Sequence, residues 1–434
     1  MTNLSARDNG LIWHPFTQHQ TERAPVGISH ANGAVLYNEQ GEEILDLISS
    51  WWTITHGHAH PKITEALYAQ AKNMSHVMFS GFTHEPAVTI AESITSRLGG
   101  DLAHVFFSDN GSTSIEVALK MAFHYWRNCG NLTRTNFIAF DGGYHGDTFG
   151  AMSVGKGSGF FNLYEDLLCD VDVLPFAATH IGDEQVEERE AQALETLKVA
   201  LEKNGDTYAA MIIEPMVQGA GGMKMCRPHF IQAIVELARS HGILVIFDEV
   251  MVGFGRTGTL FAHEQTDVIP DIICLSKGLT AGTLPLSLTV ATSQIYDAFL
   301  GADFNRALAH GHSFTGNPLA CAVANQSLQI FEEERTLERI GEIKGKHLDF
   351  TEKLAGMESI VNGRVCGSIL AFDLLSSDGG YKSELSLKLR DYFLDHGLNI
   401  RPLGNTIYLM PPYCISDEQL NIAYDGLLQG LNAV

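Results

Sequence analysis

An α/β fold, with a large domain on a mainly parallel sheet and a smaller α+β region drawn from both ends of the chain, is predicted by three observations. Short continuous apolar runs alternate with helical stretches between about residues 104 and 325. Those runs are apolar throughout rather than alternating, as befits strands covered on both faces. Beyond about residue 330, and over roughly the first 70 residues, the texture turns to charged helix and short strand pieces.

Taken in order, the stretch 34–47 (AVLYNEQGEEILDL) reads as a strand pair turned at Gln40-Gly41. Strands follow at 104–108 (HVFFS) and 137–140 (FIAF), with a helix over 115–126 between them. Residues 209–215 (AAMIIEP), a helix over 230–242, then 243–250 (ILVIFDEV) and 271–276 (DIICLS) continue the alternation. One long charged helix is expected over 332–354. The boundaries drawn from this reading are 1–70 and 329–434 for the two parts of the small domain and 71–328 for the large one. In parallel sheets of this kind ligands sit beyond the carboxyl ends of the strands, which directs attention to the residues there.

Composition narrows the function. With 28 Lys+Arg against 51 Asp+Glu the net charge is −23, a surface that repels phosphate backbones and anionic lipid over any broad face. Neither nucleic acid nor membrane is expected as a partner, and a phosphate has to be caught locally by backbone N–H groups. The seven cysteines are scattered and form no Cys-x-x-Cys pair, which fits a reducing compartment. No apolar signal core opens the chain and no apolar run approaches the roughly 20 residues of a membrane span, so a cytoplasmic protein is expected.

Two strand ends carry the chemistry. Asp248 lies near the end of the 243–250 run, and Lys277 directly follows the 271–276 run. A desolvated lysine loses its charge readily and its neutral amine attacks an aldehyde. A carboxylate facing a pyridine nitrogen keeps that nitrogen protonated and makes the ring an electron sink. Alternation along the strand puts Val250 on the face of Asp248, where it can lie against such a ring. The bland alternative is a solvated loop lysine. Between the 104–108 strand and its helix, Gly111, Ser112 and Thr113 offer N–H and hydroxyl donors at a positive helix end; Thr113-x-x-Glu116 is also a capping box. The turn Asp141-Gly-Gly-Tyr-His-Gly-Asp147 presents Tyr144, a ring that can stack on a flat cofactor, though such turns are often only turns.

Two signals compete. Gly253-Phe-Gly-Arg-Thr-Gly258 matches the dinucleotide pattern but does not lead into an apolar helix. His56, His58 and His60, with His310 and His312, resemble the His-x-His pairs of metal-dependent hydrolases, yet lack a carboxylate partner in register, and no metal site is assigned to them.

The motifs in this order resemble the class III, fold-type I aminotransferases, which use pyridoxal 5′-phosphate. Within that family the resemblance is to the branch acting on 8-amino-7-oxononanoate in biotin biosynthesis. It covers almost the whole chain, through Trp13-His-Pro, Ser49-Ser-Trp-Trp52, Met74-Ser-His-Val-Met78, Tyr144-His-Gly-Asp-Thr-Phe-Gly-Ala-Met-Ser153, Val217-Gln-Gly-Ala-Gly-Gly222, Gly253 to Gly258, Gly316-Asn-Pro-Leu-Ala-Cys321 and Arg401-Pro-Leu-Gly404.

The resemblance implies a seven-stranded large-domain sheet and a ping-pong transamination. Lys277 would be the catalytic lysine, holding the cofactor as a Schiff base and shuttling the proton. Asp248, Val250 and Tyr144 would hold the ring, with Gly111 and Ser112 on the phosphate. His312 and Ser313 would reach that phosphate from the partner in a homodimer with shared sites. Phe16, Trp51, Trp52, Tyr144, Gly311 and Arg401 would line the substrate site, where indoles suit a nine-carbon chain and a guanidinium its carboxylate. S-adenosylmethionine is the expected amino donor and lysine the substitute. Phe16 and the His310-Gly-His-Ser313 run look like the lysine-donor variant, whereas the Trp51-Trp52 pair looks like the adenosylmethionine type. Ala220, where related ω-aminotransferases place Glu, argues against ornithine or 4-aminobutyrate.

Overall fold

The computed structural model describes residues 3–375 and 384–433. Near the N-terminus β1 (Ile28–Asn32), β2 (Val35–Asn38) and β3 (Glu43–Asp46) form an antiparallel meander, and Gly41, with φ 82°, supplies the left-handed turn between β2 and β3. The strands that follow are β4 (Leu102–Ser108), β5 (Asn136–Phe140), β6 (Asp172–Leu174) and β7 (Tyr208–Ile213). A short hairpin joins β8 (Val217–Gln218) to β9 (Lys224–Met225), and then come β10 (Leu244–Asp248), β11 (Ile272–Leu275) and β12 (Ser287–Thr292).

Seven of these strands build one sheet in the order β4-β12-β11-β10-β7-β5-β6. Every pairing is parallel except those of β12, which runs against both β11 and β4. Six consecutive buried residues in β7 and five in β10 explain the unbroken apolar runs, since helices cover both faces. One face packs on the helices Glu85–Leu98 and Pro228–Ser240, the other on the helix Gly111–Asn128.

A second core gathers Ala34, Leu45 and Leu47 from the beginning of the chain with Phe350, Phe372, Phe393 and Leu427 from its end. Here β13 (Ile360–Cys366), β14 (Ile369–Leu374) and β16 (Thr406–Leu409) form a sheet, while β15 (Leu398–Asn399) joins the first meander in parallel with β3.

Three local expectations are corrected. The charged run 332–354 is not one helix: the helix Pro318–Glu333 stops, Arg335 adopts φ 49°, and a new helix runs Thr336–Leu354. The capping box at the Gly111–Asn128 helix is made by Asn110 and Thr113, not Thr113 and Glu116. Strand β10 ends at Asp248, so Val250 belongs to the following turn and strand alternation does not orient it.

Candidate active site

Neighbouring strands deliver the two central residues. In the parallel pairing of β10 with β11, Asp248 lies opposite Cys274, and Lys277 follows three residues on, at the same carboxyl edge. Both line a cavity of about 410 Å³ together with Trp52, Gly111, Ser112, Tyr144, Glu214 and Val250. The loop from Gly282 to Leu286, leading back into the reversed β12, closes its other side.

Asp248 is buried, 4% exposed, and its two oxygens are taken from opposite sides. His145 Nδ1 lies 2.7 Å from Oδ2, and the Val250 N–H donates to Oδ1 over 3.0 Å. That second bond, rather than strand alternation, brings Val250 to the cavity. The Lys277 Nζ lies 4.7 Å from the Trp52 ring centroid. Burial pushes the Lys277 amine below the ordinary lysine range, against the opposing pull of Asp248 and Glu214. A neutral amine at the end of a buried side chain is a nucleophile and a proton acceptor.

Glu214 had no role in the sequence reading. It follows β7 directly, is buried, and accepts hydrogen bonds from the N–H groups of Tyr144 (3.1 Å) and Gly219 (2.9 Å). Burial pushes its carboxyl up to about 7. The only signal available was an acid closing a wholly apolar strand. His145, quoted in the sequence as part of a turn, likewise proves to be the buried partner of Asp248.

At the other end of the cavity the chain enters the helix Gly111–Asn128, whose first N–H groups have no intrahelical acceptor. Gly111 is required by contact: a Cβ there would come within 2.6 Å of Val250 Cγ1. The Ser112 hydroxyl accepts from the Asp147 N–H over 3.1 Å.

Of the remaining expected substrate residues, Phe16, Trp51 and Arg401 do not line this cavity but continue its wall. Phe16 packs edge-on against Trp51 (5.8 Å) and Phe160 (6.3 Å), and Phe160 in turn against Tyr144 (5.8 Å). The Arg401 guanidinium sits 5.2 Å over the Trp51 ring. Gly311, His312 and Ser313 lie apart, with Gly311 and Ser313 exposed. The His312 Nε2 is buried with no hydrogen-bond partner among the described residues.

The competing motifs resolve into structure. His56 bonds the Ser327 carbonyl, His58 the Asp46 carboxylate, and His60 lies near Glu334, so the three rings serve three different partners. Among the described residues no group of three or more His, Cys, Asp or Glu side chains converges as a metal site. Residues 253–258 form a run of turns followed only by the short 3₁₀ turn Ala262–Gln265 and no α-helix, and Arg256 inside it is buried, donating to the carbonyls of Trp52, Ile54 and Pro411.

A pyridoxal cofactor needs an amine, a buried acid for its ring nitrogen and an anion cradle. The cavity offers all three: Lys277, Asp248 with both oxygens already oriented, and a helix start at Gly111 and Ser112 whose first N–H groups face it.

Comparison with known proteins agrees with that chemistry. The family described as Aminotransferase class-III matches residues 16–431. A protein of Synechococcus elongatus named Adenosylmethionine-8-amino-7-oxononanoate aminotransferase is 47% identical over 98% of this chain and 99% of its own. A crystal structure bearing the same enzyme name, from Methanocaldococcus jannaschii, superposes with a TM-score of 0.92 at 31% identity, covering 99% of both chains. An amine transaminase from an uncultivated Pseudomonas species, solved in its PLP-bound form, superposes with a TM-score of 0.90 at 30% identity over 97% of this chain and 98% of that one. A buried strand-end lysine facing a strand-end acid, in a chain matched along almost its full length, makes this protein a member of the class III aminotransferases, enzymes that work with pyridoxal 5′-phosphate.

Proposed function

We propose that this chain transfers an amino group to 8-amino-7-oxononanoate, giving 7,8-diaminononanoate in biotin biosynthesis, with S-adenosylmethionine as donor. The observation that carries the reading is the continuity of one wall. From Lys277 it runs past Trp52, through the Trp51 and Phe16 rings, to a guanidinium at Arg401. An amino-oxo acid with a long alkyl chain asks for this order of groups: reacting ketone at the lysine, methylenes on the indoles, carboxylate on the arginine. The enzyme name carried by the relatives supports the same substrate.

When bound, the cofactor supplies an aldehyde that takes up amines and a ring that draws electrons from them. Gly111 and Ser112 would hold its phosphate through helix-start N–H groups, joined by His312 of the partner subunit and Ser313 of the partner subunit. The orphaned His312 Nε2 supports that sharing, and with it a homodimer. Tyr144 and Val250 would flank the ring. Asp248 would keep the ring nitrogen protonated, and His145 and the Val250 N–H keep Asp248 from turning. Lys277 would hold the cofactor's aldehyde and would accept and return the proton of the substrate's amine-bearing carbon, a role its lowered affinity for protons suits. Trp51, Trp52, Phe16 and Arg401 orient the substrate.

A large α/β unit beside a small α+β unit made from both ends completes the reading, supported by the pairing of β15 with β3 and by the separate second core. The boundaries proposed for these units, 70 and 328, fall inside the helices Pro61–Asn73 and Pro318–Glu333, and a helix break follows the second at Arg335. Seven unpaired cysteines support a reducing, cytoplasmic setting. No helix of the described residues is long and apolar enough to cross a membrane.

Lysine as donor is the second reading, favoured by Phe16: its ring brings no hydroxyl to the mouth where it meets Trp51. A coupled assay of the pure enzyme with each donor decides. Turnover with lysine alone would replace the donor, and absence of diaminononanoate with either would overturn the substrate.

A further inference from the structure

Four successive residues, Ser49 to Trp52, none of them glycine, hold positive φ angles of 51°, 44°, 70° and 73°. Side chains resist this left-handed region, and such backbone persists only where its surroundings over-determine it. The turn aims both indoles at the cavity and its wall, so whatever holds the turn holds the indoles.

The Ser49 hydroxyl bonds the Met410 carbonyl (2.7 Å) and Trp52 Nε1 the Tyr408 hydroxyl (2.9 Å), while the holder on the Ser50–Trp51 side is Asp46, at the end of β3 and wholly buried. Its Oδ1 accepts from the Ser50 N–H (2.9 Å) and from Asn399 Nδ2 (3.1 Å). Its Oδ2 accepts from the Ser50 hydroxyl (2.7 Å) and lies 2.9 Å from His58 Nε2. His58 is itself clamped, exchanging backbone hydrogen bonds of 2.8 and 3.0 Å with Gly33 at the tip of the β1–β2 hairpin. Asn399 closes the β15 strand two residues before Arg401, whose guanidinium lies over Trp51. One carboxylate thus ties the indole turn to the strand that presents the arginine.

We propose that Asp46 is a positioning residue for the acceptor: it fixes the Trp51 ring and the Arg401 guanidinium relative to one another, so that chain and carboxylate are read as one rigid unit. This rests on the acceptor reading given above. Asp46 touches neither substrate nor cofactor, and acts through Ser50 and Asn399.

The test uses pure holoenzyme as wild type, Asp46→Ala, Asp46→Asn and Asn399→Ala. Asp46→Ala is expected to raise the KM for the amino-oxo acid on the order of 10- to 100-fold, with kcat and the donor KM changed by no more than about threefold. It should also weaken the near-ultraviolet circular dichroism of the tryptophans. Asparagine keeps an acceptor for Ser50 N–H and Asn399, so Asp46→Asn should stay within about threefold of wild type in every constant. Should Asp46→Ala fail to fold, Asn399→Ala serves in its place. It cuts only the link toward Arg401 and should raise the acceptor KM at least about threefold with the tryptophan signal unchanged. Equal rises in both KM values, an asparagine variant as impaired as the alanine one, or an unaltered acceptor KM in Asn399→Ala would each overturn the proposal. A wild-type enzyme inert toward the amino-oxo acid would instead refute the acceptor reading, while the tryptophan signal in Asp46→Ala still tests the lock.

Discussion

Gly111→Ala places a single methyl group where the cofactor cradle and the ring wall meet. Its Cβ would stand 2.6 Å from Val250 Cγ1 and 3.2 Å from Cγ2. Carbon pairs settle at about 3.5–4.0 Å, so the helix start or the Val250 turn has to give way by about 1 Å. The Val250 turn is not free to yield, because its N–H holds Asp248. Overpacking of this size costs about 1–3 kcal/mol. If the strain appears when the cradle closes on phosphate, cofactor affinity falls about 5- to 150-fold. Titrating apoenzyme with pyridoxal phosphate and following the absorbance of the bound form measures this. Val250→Ala removes both colliding carbons, so Gly111→Ala/Val250→Ala should bind more tightly than Gly111→Ala alone, a positive coupling in the double-mutant cycle. Wild-type affinity in Gly111→Ala, or additive losses in the double variant, would refute the assignment of the glycine to contact with Val250.

Other predictions follow from the same geometry. Lys277→Ala should abolish turnover and the cofactor absorbance that borohydride fixes in the wild type; retention of either refutes the lysine's role. Asp248→Asn should fold normally and slow the proton-transfer step by at least about 100-fold in single-turnover stopped flow, since the ring nitrogen loses its counter-charge; near-normal rates would count against it. Arg401→Ala should raise the KM of the amino-oxo acid on the order of 10- to 100-fold while leaving the donor KM almost unchanged, and equal effects would make the arginine structural.

Stability should fall as pH drops below about 6.5. Burial holds His56 at about 3 and His347 at about 4, so between those values and the unfolded 6.5 the unfolded chain binds more protons. Each histidine contributes a slope of up to about 1.4 kcal/mol per pH unit. Glu214, raised to about 7, contributes the opposite slope between 4.5 and 7. Melting temperatures from pH 7 to 5 should therefore decline, and decline more steeply in Glu214→Gln; a flat profile in both refutes the balance.

The parts legible in the sequence were those written as pattern. Continuous apolar runs identify buried parallel strands, and a polar residue at the end of such a run stands at the sheet's carboxyl edge, which is why Asp248 and Lys277 could be singled out. Glu214 closes an equally apolar strand but was passed over because no chemistry in the sequence asked for a second acid there, and Asp46 because it ends a short, mixed strand whose partners come from distant parts of the chain. The left-handed turn at Ser49–Trp52 has no local signal either: nothing in Ser-Ser-Trp-Trp favours positive φ, and the bonds of Asp46 to Ser50 and Asn399, of Ser49 to Met410 and of Trp52 to Tyr408 together impose it. Arg256 sat inside a glycine pattern that suggested nucleotide binding, while its actual work is to satisfy three buried carbonyls. Capping at Asn110 was missed because two overlapping boxes were available and three-dimensional context chose between them.

The reversed direction of β12 has a dynamic consequence. Lys277 directly follows β11, at the start of the connection 276–286 whose two ends are laced into adjacent strands of the same sheet, and the Ser276 hydroxyl bonds across its base to the Leu286 carbonyl. At the lysine itself a hinge cannot develop without breaking that base. The amine must therefore travel between its positions by rotation about its own four side-chain bonds, and the distance it can cover is a property of lysine rather than of any moving loop.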